Sequence, residues 1–227
     1  MIEAILPAGV AVREAFHDLP EAELLPDEAP YVARSVAPRR REFATARLCA
    51  RQALAQLGLP SGRPLLKDRH GAPVWPPGVV GSITHCDGYR AAAVARASHL
   101  TLLGIDAEPA ETLPDGVLES IALPAELARV RRLLDVYPGI PWDRLLFSAK
   151  EAVHKGWYPY AGQRLEPEDA DLTLDPRGGF TARLLPRPPP GSRPVPYPLQ
   201  GRWLVRAGLA VSAVAVPAGP WPGPPIV

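Results

Sequence analysis

Two short stretches of this 227-residue chain carry residue types whose spacing could do chemistry. In Leu102-Leu103-Gly104-Ile105-Asp106-Ala107-Glu108, an apolar run that reads as a strand ends in two acids, and at strand period Asp106 and Glu108 project to one side. Two carboxylates forced together repel, and a shared proton or a bound cation relieves them. Carboxylate oxygens suit a hard ion such as Mg²⁺, which keeps some waters and is shared with substrate phosphates. The second stretch, Phe147-Ser148-Ala149-Lys150-Glu151-Ala152-Val153-His154-Lys155, reads as part of a helix beginning near Pro141-Trp142-Asp143. Phe147, Glu151 and Lys155 recur at i, i+4 and i+8 and share one face, where a third acid and an ammonium could complete a metal and phosphate site. Each piece alone is weak evidence. An Asp-x-Glu pair past a strand is usually a solvated loop, and Glu151 ahead of Lys155 is also the favoured order of a surface helix pair, worth about 0.2–0.5 kcal/mol.

The surrounding elements must position these groups. From Pro38 the pattern is helical, with Phe43, Ala46, Leu48, Ala50, Ala53, Leu54 and Leu57 as the apolar set, until Gly58 and Pro60 stop it. Arg39 and Arg47, eight residues apart on that helix, share a face and could grip one anion from two turns; the alternative is a solvated basic face. Leu65 to Trp75 reads as two short strands around a turn and carries Lys67. Val79 to His85 is a strand ending in Ser82-Ile83-Thr84-His85, and Tyr89 to Ala95 is another. His85 and Cys86 are adjacent on a strand and point to opposite faces, which argues against a Cys–His nucleophile pair. Elsewhere we expect an initial strand within residues 1–10 and loop with short helix over 11–37. A connector from Pro109 to Leu118 leads to a helix from Ile121 to Tyr137 with Glu126, Arg129, Arg131 and Arg132 outward. The Phe147 helix should run from Trp142 to Trp157 and end before Pro159. Strands are expected around Leu172–Leu174 and Phe180–Leu184, and a closing hairpin over Gln200–Val205 and Ala207–Val216. Residues 186–198, with seven prolines, read as an insertion, and a Pro/Gly tail follows Val216.

Composition bounds the partners. With 47% apolar and 22% charged residues the chain reads as soluble and globular, and a net charge of +1 provides no global field for nucleic acid or an anionic membrane. Cys49 and Cys86 make neither a disulfide scaffold nor a metal-ligand spacing. Met1-Ile2-Glu3-Ala4 lacks the features of a signal peptide, and the longest uncharged apolar stretch, Gly208 to Gly219, is too short to span a bilayer. We therefore expect a reduced, cytoplasmic protein. Only three of the 25 basic residues are lysines, Lys67, Lys150 and Lys155. All three fall in the segments singled out above, as though an ammonium rather than a guanidinium were required there.

Gly104-Ile105-Asp106-Ala107-Glu108, a gap of 40 residues between Asp106 and Phe147, and Phe147-Ser148-x-Lys150-Glu151-Ala152-x-x-Lys155 together resemble the signature of the 4′-phosphopantetheinyl transferases. Val80-Gly81-Ser82-Ile83-Thr84-His85-Cys86 resembles an element of the larger, type II (Sfp-like and EntD-like) class. The likeness from Arg39 to Pro73 and at Arg202-Trp203 is closest to the actinobacterial enzymes. The resemblance implies an α/β (α+β) fold of two similar halves related by a pseudo-twofold, each a small sheet packed on a long helix. The N-terminal half would be 1–103, the C-terminal half 104–216 and the tail 217–227. It implies transfer of 4′-phosphopantetheine from coenzyme A to a serine of an apo acyl, aryl or peptidyl carrier protein of fatty acid, polyketide or nonribosomal peptide synthases, releasing adenosine 3′,5′-bisphosphate. By the same resemblance Asp106, Glu108 and Glu151 hold Mg²⁺, with Mn²⁺ as an alternative, and Glu151, Lys150 and Lys155 serve catalysis. Arg39, Arg47, Lys67, Ser82, His85, Lys150 and Lys155 contact coenzyme A. A basic residue often found where Ala72 stands is missing. Because both halves lie in one chain, a monomer is expected. A non-catalytic binding module and a phosphodiesterase acting on the same pyrophosphate remain the rival readings.

Overall fold

The computed structural model describes residues 1–185 and 197–219 and consists of two similar halves, each a sheet backed by a long helix. In the first half, strands β1 (Ala11–Ala15), β2 (Val79–Cys86) and β3 (Tyr89–Arg96) form an antiparallel sheet in the order β1-β3-β2. Helix α1 (Ala37–Gln56) covers it. Pro38 fits its first turn, where the missing N–H costs nothing, and Gly58, at φ +68°, lets the chain turn back after it. The buried stripe of α1, including Cys49, Ala50, Ala53 and Leu54, meets Ala92 and Val94 of β3. Ala91, Ala92 and Ala93 have no exposed surface; the small side chain of Ala92 lets α1 approach the sheet closely, while Ala91 and Ala93 face the other way.

The second half contains β4 (Leu100–Pro109), α2 (Val117–Ile121), α3 (Pro124–Val136), α4 (Trp142–Ala161), β5 (Ala170–Asp175), β6 (Gly179–Leu184), β7 (Leu199–Arg206) and β8 (Leu209–Pro217). Its antiparallel sheet runs β4-β8-β7-β6-β5. Along α4, Trp142, Leu145, Leu146, Ala149, Val153 and Trp157 are buried and pack with Leu102, Trp203 and Val214 of the sheet. Fully burying one such side chain contributes about 1.5–3 kcal/mol. A further core joins the halves: Tyr89, Ala91, Ala93 and Ala95 pack with Leu103, Ile105, Ala107, Val211 and Ala213. Where β2 meets β4 the bonds come from side chains. Ile105 N donates to Ser82 Oγ (3.1 Å) and Ala107 N to Thr84 Oγ1 (3.0 Å).

Several expectations change. Residues 1–10 hold a 3-10 turn, Ile2–Ile5, and the first strand follows at Ala11–Ala15. Ile2 and Ile5, three apart, are both buried by that turn, while Arg13 and Glu14 within the strand blur its apolar pattern. The expected helix over 121–137 begins only at Pro124, since Leu123 is extended, and a short helix, α2, precedes it from the end of the expected connector to Ile121. The expected strands of Leu65–Trp75 reduce to one antiparallel bridge, Lys67 with Pro73. α4 runs through Pro159 to Ala161. So near the C-terminus proline removes a single helix bond, and Gly162 closes the end by donating to Tyr158 O (2.8 Å). Glu126 is fully buried, contrary to its expected outward position. Most of the proline-rich segment and of the tail (186–196 and 220–227) lie outside the described residues.

Candidate active site

Helix α4 and strand β4 cross with their backbones nearly touching. A Cβ at Gly104 would lie 1.9 Å from Ala152 O and 2.6 Å from Gly156 N; one at Gly156 would lie 2.6 Å from Leu102 Cδ2. This approach brings Lys155 onto the acid two residues beyond Gly104. Lys155 Nζ donates to Asp106 Oδ1 at 2.6 Å, and Thr84 Oγ1 donates to the same oxygen at 3.2 Å. Burial alone would push the Lys155 ammonium down, but Asp106, with Glu151 and Glu108 behind it, holds it above the ordinary lysine value. Glu108 meets Arg144, whose Nη1 is 3.2 Å from Oε2. Both acids therefore face α4, as strand period requires. Burial, and then the neighbouring Asp106 charge, push the Glu108 carboxyl up.

A cleft of about 320 Å³ opens beside this cluster, between α1, β2, the 67–73 turn and the C-terminal end of α4. Arg39, Arg47 and Lys67 line one side, Ser82 and His85 the floor, and Glu151 and Lys155 the other side. Arg47 is almost buried; Nε donates to Leu65 O (3.1 Å), while Nη2 is buried with no hydrogen-bond partner among the described residues. Desolvation lowers the Arg47 pKa to about 10. Lys67 lies over the Phe43 ring at 4.7 Å, and burial, then Arg47 and Arg39, push its ammonium down. Three cations so placed repel one another, which adds to the effect of burial on Lys67.

His85 sits between Arg39 and Glu42. Its Nδ1 is 3.0 Å from Glu42 Oε1 and its Nε2 is 3.0 Å from Arg39 Nη1. Burial lowers its pKa to about 4, against the pull of Glu42 and with the help of Arg39 and Lys155. The ring is thus neutral near pH 7. Its partners assign the tautomer: Nδ1–H donates to Glu42 and Nε2 accepts from Arg39. Cys86, on the opposite face, joins the core between the sheets.

One expected member is elsewhere. Lys150 is turned away from the cleft, and its Nζ donates to Pro167 O (2.5 Å) and Ala170 O (2.8 Å) and pairs with Glu126 Oε2 (2.9 Å). These acceptors match the three protons of an ammonium. The next residue, Glu151, is one helical step round and faces the cleft, so both cannot serve it.

Among the described residues no three His, Cys, Asp or Glu side chains are grouped to hold a metal ion. Asp106 and Glu108 are instead tied to Lys155 and Arg144. Two observations nevertheless fit a divalent cation at these acids. Asp106 Oδ2 is buried with no hydrogen-bond partner among the described residues, and the Glu108 carboxyl is pushed up by burial and then by its like-charged neighbour.

Sequence reasoning missed several residues of the site. Thr84 and Arg144 each bond an acid of the pair, Glu42 orients His85, and Tyr158, His154 and Arg164 line the cleft. Thr84 was findable, since it follows Ser82 at strand period and both face β4. Arg144 and Arg164 carry no pattern of their own.

Residues 27–95 match the 4′-phosphopantetheinyl transferase N-terminal domain and residues 102–195 the 4′-phosphopantetheinyl transferase superfamily. The chain is 53% identical over 226 residues to the 4′-phosphopantetheinyl transferase Svp of Streptomyces mobaraensis, covering 96% of this chain and 91% of that one. The chain belongs to the 4′-phosphopantetheinyl transferase superfamily. The likeness extends to the transferase PptT of Mycobacterium tuberculosis (45% identical, 95% of this chain and 98% of that one) and to Npt of Nocardia iowensis (44%, 95% and 99%). In this transferase the two matched regions fall one on each half of the fold, and the cleft lies where they meet. No helix among its described residues is long and apolar enough to cross a membrane.

Proposed function

We propose that this chain transfers the 4′-phosphopantetheine arm of coenzyme A to a serine hydroxyl of apo acyl, aryl or peptidyl carrier proteins of fatty acid, polyketide or nonribosomal peptide synthases. Adenosine 3′,5′-bisphosphate is released. The observation that carries the reading is the charge layout of one cleft: Arg39, Arg47 and Lys67 at one side, with a buried guanidinium nitrogen left unbonded among the described residues, and Glu151 and Lys155 facing them beside Asp106. A donor with phosphates at both ends of a nucleoside fits such a layout.

In this reading Arg39, Arg47 and Lys67, with Ser82 and His85 nearby, hold the 3′-phosphate and adenosine end. Asp106, Glu108 and Glu151 are the residues that would hold Mg²⁺, or Mn²⁺. When bound, the cation supplies charge neutralisation at the pyrophosphate, the main electrostatic demand of phosphoryl-type transfer. Glu151 takes the proton from the serine hydroxyl. The serine oxygen bonds to the phosphorus of the pantetheine phosphate, and the bond from that phosphorus to the bridging oxygen breaks. Lys155 remains charged because Asp106 holds it so, and it stands ready for the negative charge that develops on the departing group. Residues 1–103 would thus serve the adenosine end, 104–216 the transfer, and 217–227 form a tail outside both. A cytoplasmic monomer is part of the proposal.

The test is intact-mass spectrometry of a panel of apo carriers with enzyme, coenzyme A and Mg²⁺. The expected result is a gain of one phosphopantetheine on a serine, absent with Asp106→Ala whose circular dichroism remains native. Consumption of coenzyme A without any carrier would instead show hydrolysis and end the transferase reading.

A further inference from the structure

We propose that Asp68 and Tyr158 form a latch that fixes the 68–72 turn against α4 and thereby sets how tightly the cleft holds its donor. This rests on the reading of the cleft as the coenzyme A site. Tyr158 Oη donates to Asp68 Oδ2 at 2.6 Å, joining residues ninety positions apart and one half of the fold to the other. The other oxygen, Asp68 Oδ1, accepts from His70 N (2.8 Å) and Ala72 N (2.9 Å), so the same carboxylate shapes the turn and anchors it. Asp68 N also donates to Ala72 O (2.9 Å), and Gly71 takes φ +89° at the tip.

Arg69, His70 and Gly71 at this tip are exposed, Gly71 N donates to Asp68 O (3.1 Å), and Arg69 also acts on the Tyr158 hydroxyl. The base is closed by the Lys67–Pro73 bridge, by Val74 N donating to Leu66 O (2.9 Å) and by the Tyr31 hydroxyl, bonded to Lys67 N and O. Across the gap, the Tyr158 ring meets the His70 ring edge-on at 5.5 Å and stacks on His154 at 6.3 Å. His70, Gly71 and Ala72 form one wall of the cleft, and His154 and Tyr158 part of the facing wall. The latch therefore spans the cleft between two walls that a bound donor must touch. An unlatched turn would have to be ordered by the donor itself, and that ordering would weaken binding.

Asp68 and Tyr158 are thus positioning residues, and two conservative variants separate their roles. Tyr158→Phe keeps the ring contacts and loses the hydroxyl. Asp68→Asn can keep the Oδ1 acceptor while placing a donor where Oδ2 accepts. With the full-length enzyme, coenzyme A affinity is measured by calorimetry and KM for donor and carrier in the transfer assay. Each variant is expected to weaken coenzyme A by about three- to fivefold, below the roughly tenfold scale of a buried charge-assisted hydrogen bond because Asp68 and Tyr158 are only half-buried and water competes for both partners. KM for the carrier should stay at the wild-type value, which a general loss of structure would not allow. The double variant should be no weaker than the worse single one, because both act on the same contact, Asp68→Asn by removing its charge and Tyr158→Phe by removing its hydroxyl. Donor affinity in Tyr158→Phe within twofold of wild type, or losses that add in the double variant, would overturn the latch. Failure of the wild type itself to bind coenzyme A would overturn the donor reading beneath it.

Discussion

Lys155 grips one oxygen of Asp106 and leaves the other buried without a partner among the described residues, so one carboxylate meets two opposite demands. Its neighbour Glu151 is simpler: it faces the cleft and serves there as the proton acceptor we assign. Glu151→Gln keeps the size and loses both charge and basicity, so transfer should fall by about 10²–10⁴-fold, the usual worth of general base catalysis. Single-turnover carrier mass shift measures this, and a loss below tenfold would make Glu151 merely the surface partner of Lys155. His85 makes a second prediction. With a pKa near 4 in the free enzyme and an ordinary value near 6.5 when unfolded, the depressed group supports stability above about pH 6.5. That support is lost as pH falls toward 4, because the unfolded chain takes up the proton first. Donor phosphates beside the ring would favour its charged form, adding to Glu42 and opposing Arg39, Lys155 and Arg90, which surround it now. Coenzyme A binding at pH 5–6 should then take up more protons in wild type than in His85→Gln. Calorimetry in two buffers of different ionisation enthalpy reads the difference; equal uptake would remove His85 from the donor site.

At the scale of elements, the legible parts were those whose burial pattern has one period. α1 and α4 announced themselves by apolar spacing, and β7 with β8 by apolar runs on either side of Arg206-Ala207-Gly208, where Ala207 (φ +50°) and Gly208 (φ +76°) make the turn. β1 was hidden because five residues with Arg13 and Glu14 among them carry no apolar signal. The break before Pro124 was hidden because apolar residues continue through it. Of the site, the two acids, Glu151 and Lys155 could be read from spacing, but the fate of Lys150 could not. Its direction is set by Glu126, a buried carboxylate that also accepts from Leu123 N and Leu172 N. That carboxylate ties the start of α3, the start of β5 and the middle of α4 together. Lys150→Met should therefore act on stability, since it leaves Glu126 buried and unpaired, a change that typically costs about 3–5 kcal/mol. Denaturant melts are expected to show this loss, with coenzyme A affinity of the folded fraction near wild type. Normal stability with weakened donor binding would return Lys150 to the phosphates.

For the whole molecule, the core between the sheets decides what can stand alone. Tyr89, Ala91, Ala93 and Ala95 of the first half are covered by Leu103, Ile105, Ala107, Val211 and Ala213 of the second, and the cleft takes its walls from both. One chain thus supplies both walls of the cleft. Light scattering at assay concentrations should give a monomer, with specific activity independent of dilution. An obligate oligomer that loses activity on dissociation would contradict the self-contained arrangement.

The crossing of Gly104 and Gly156 also limits how this sequence can drift. At Gly104 an added methyl meets the carbonyl and nitrogen of α4 itself, atoms that cannot step aside without moving the helix that carries Glu151 and Lys155. At Gly156 the nearest obstacle is the tip of Leu102, a side chain that another mutation can shorten; the backbone nitrogen of Gly104, at 3.1 Å, need give only a few tenths of an ångström. The two glycines look alike in the chain and differ in what history may do with them. A library randomised at 102, 104 and 156 and selected for carrier modification should return alanine at 156 alongside a smaller residue at 102. At 104 it should return glycine alone.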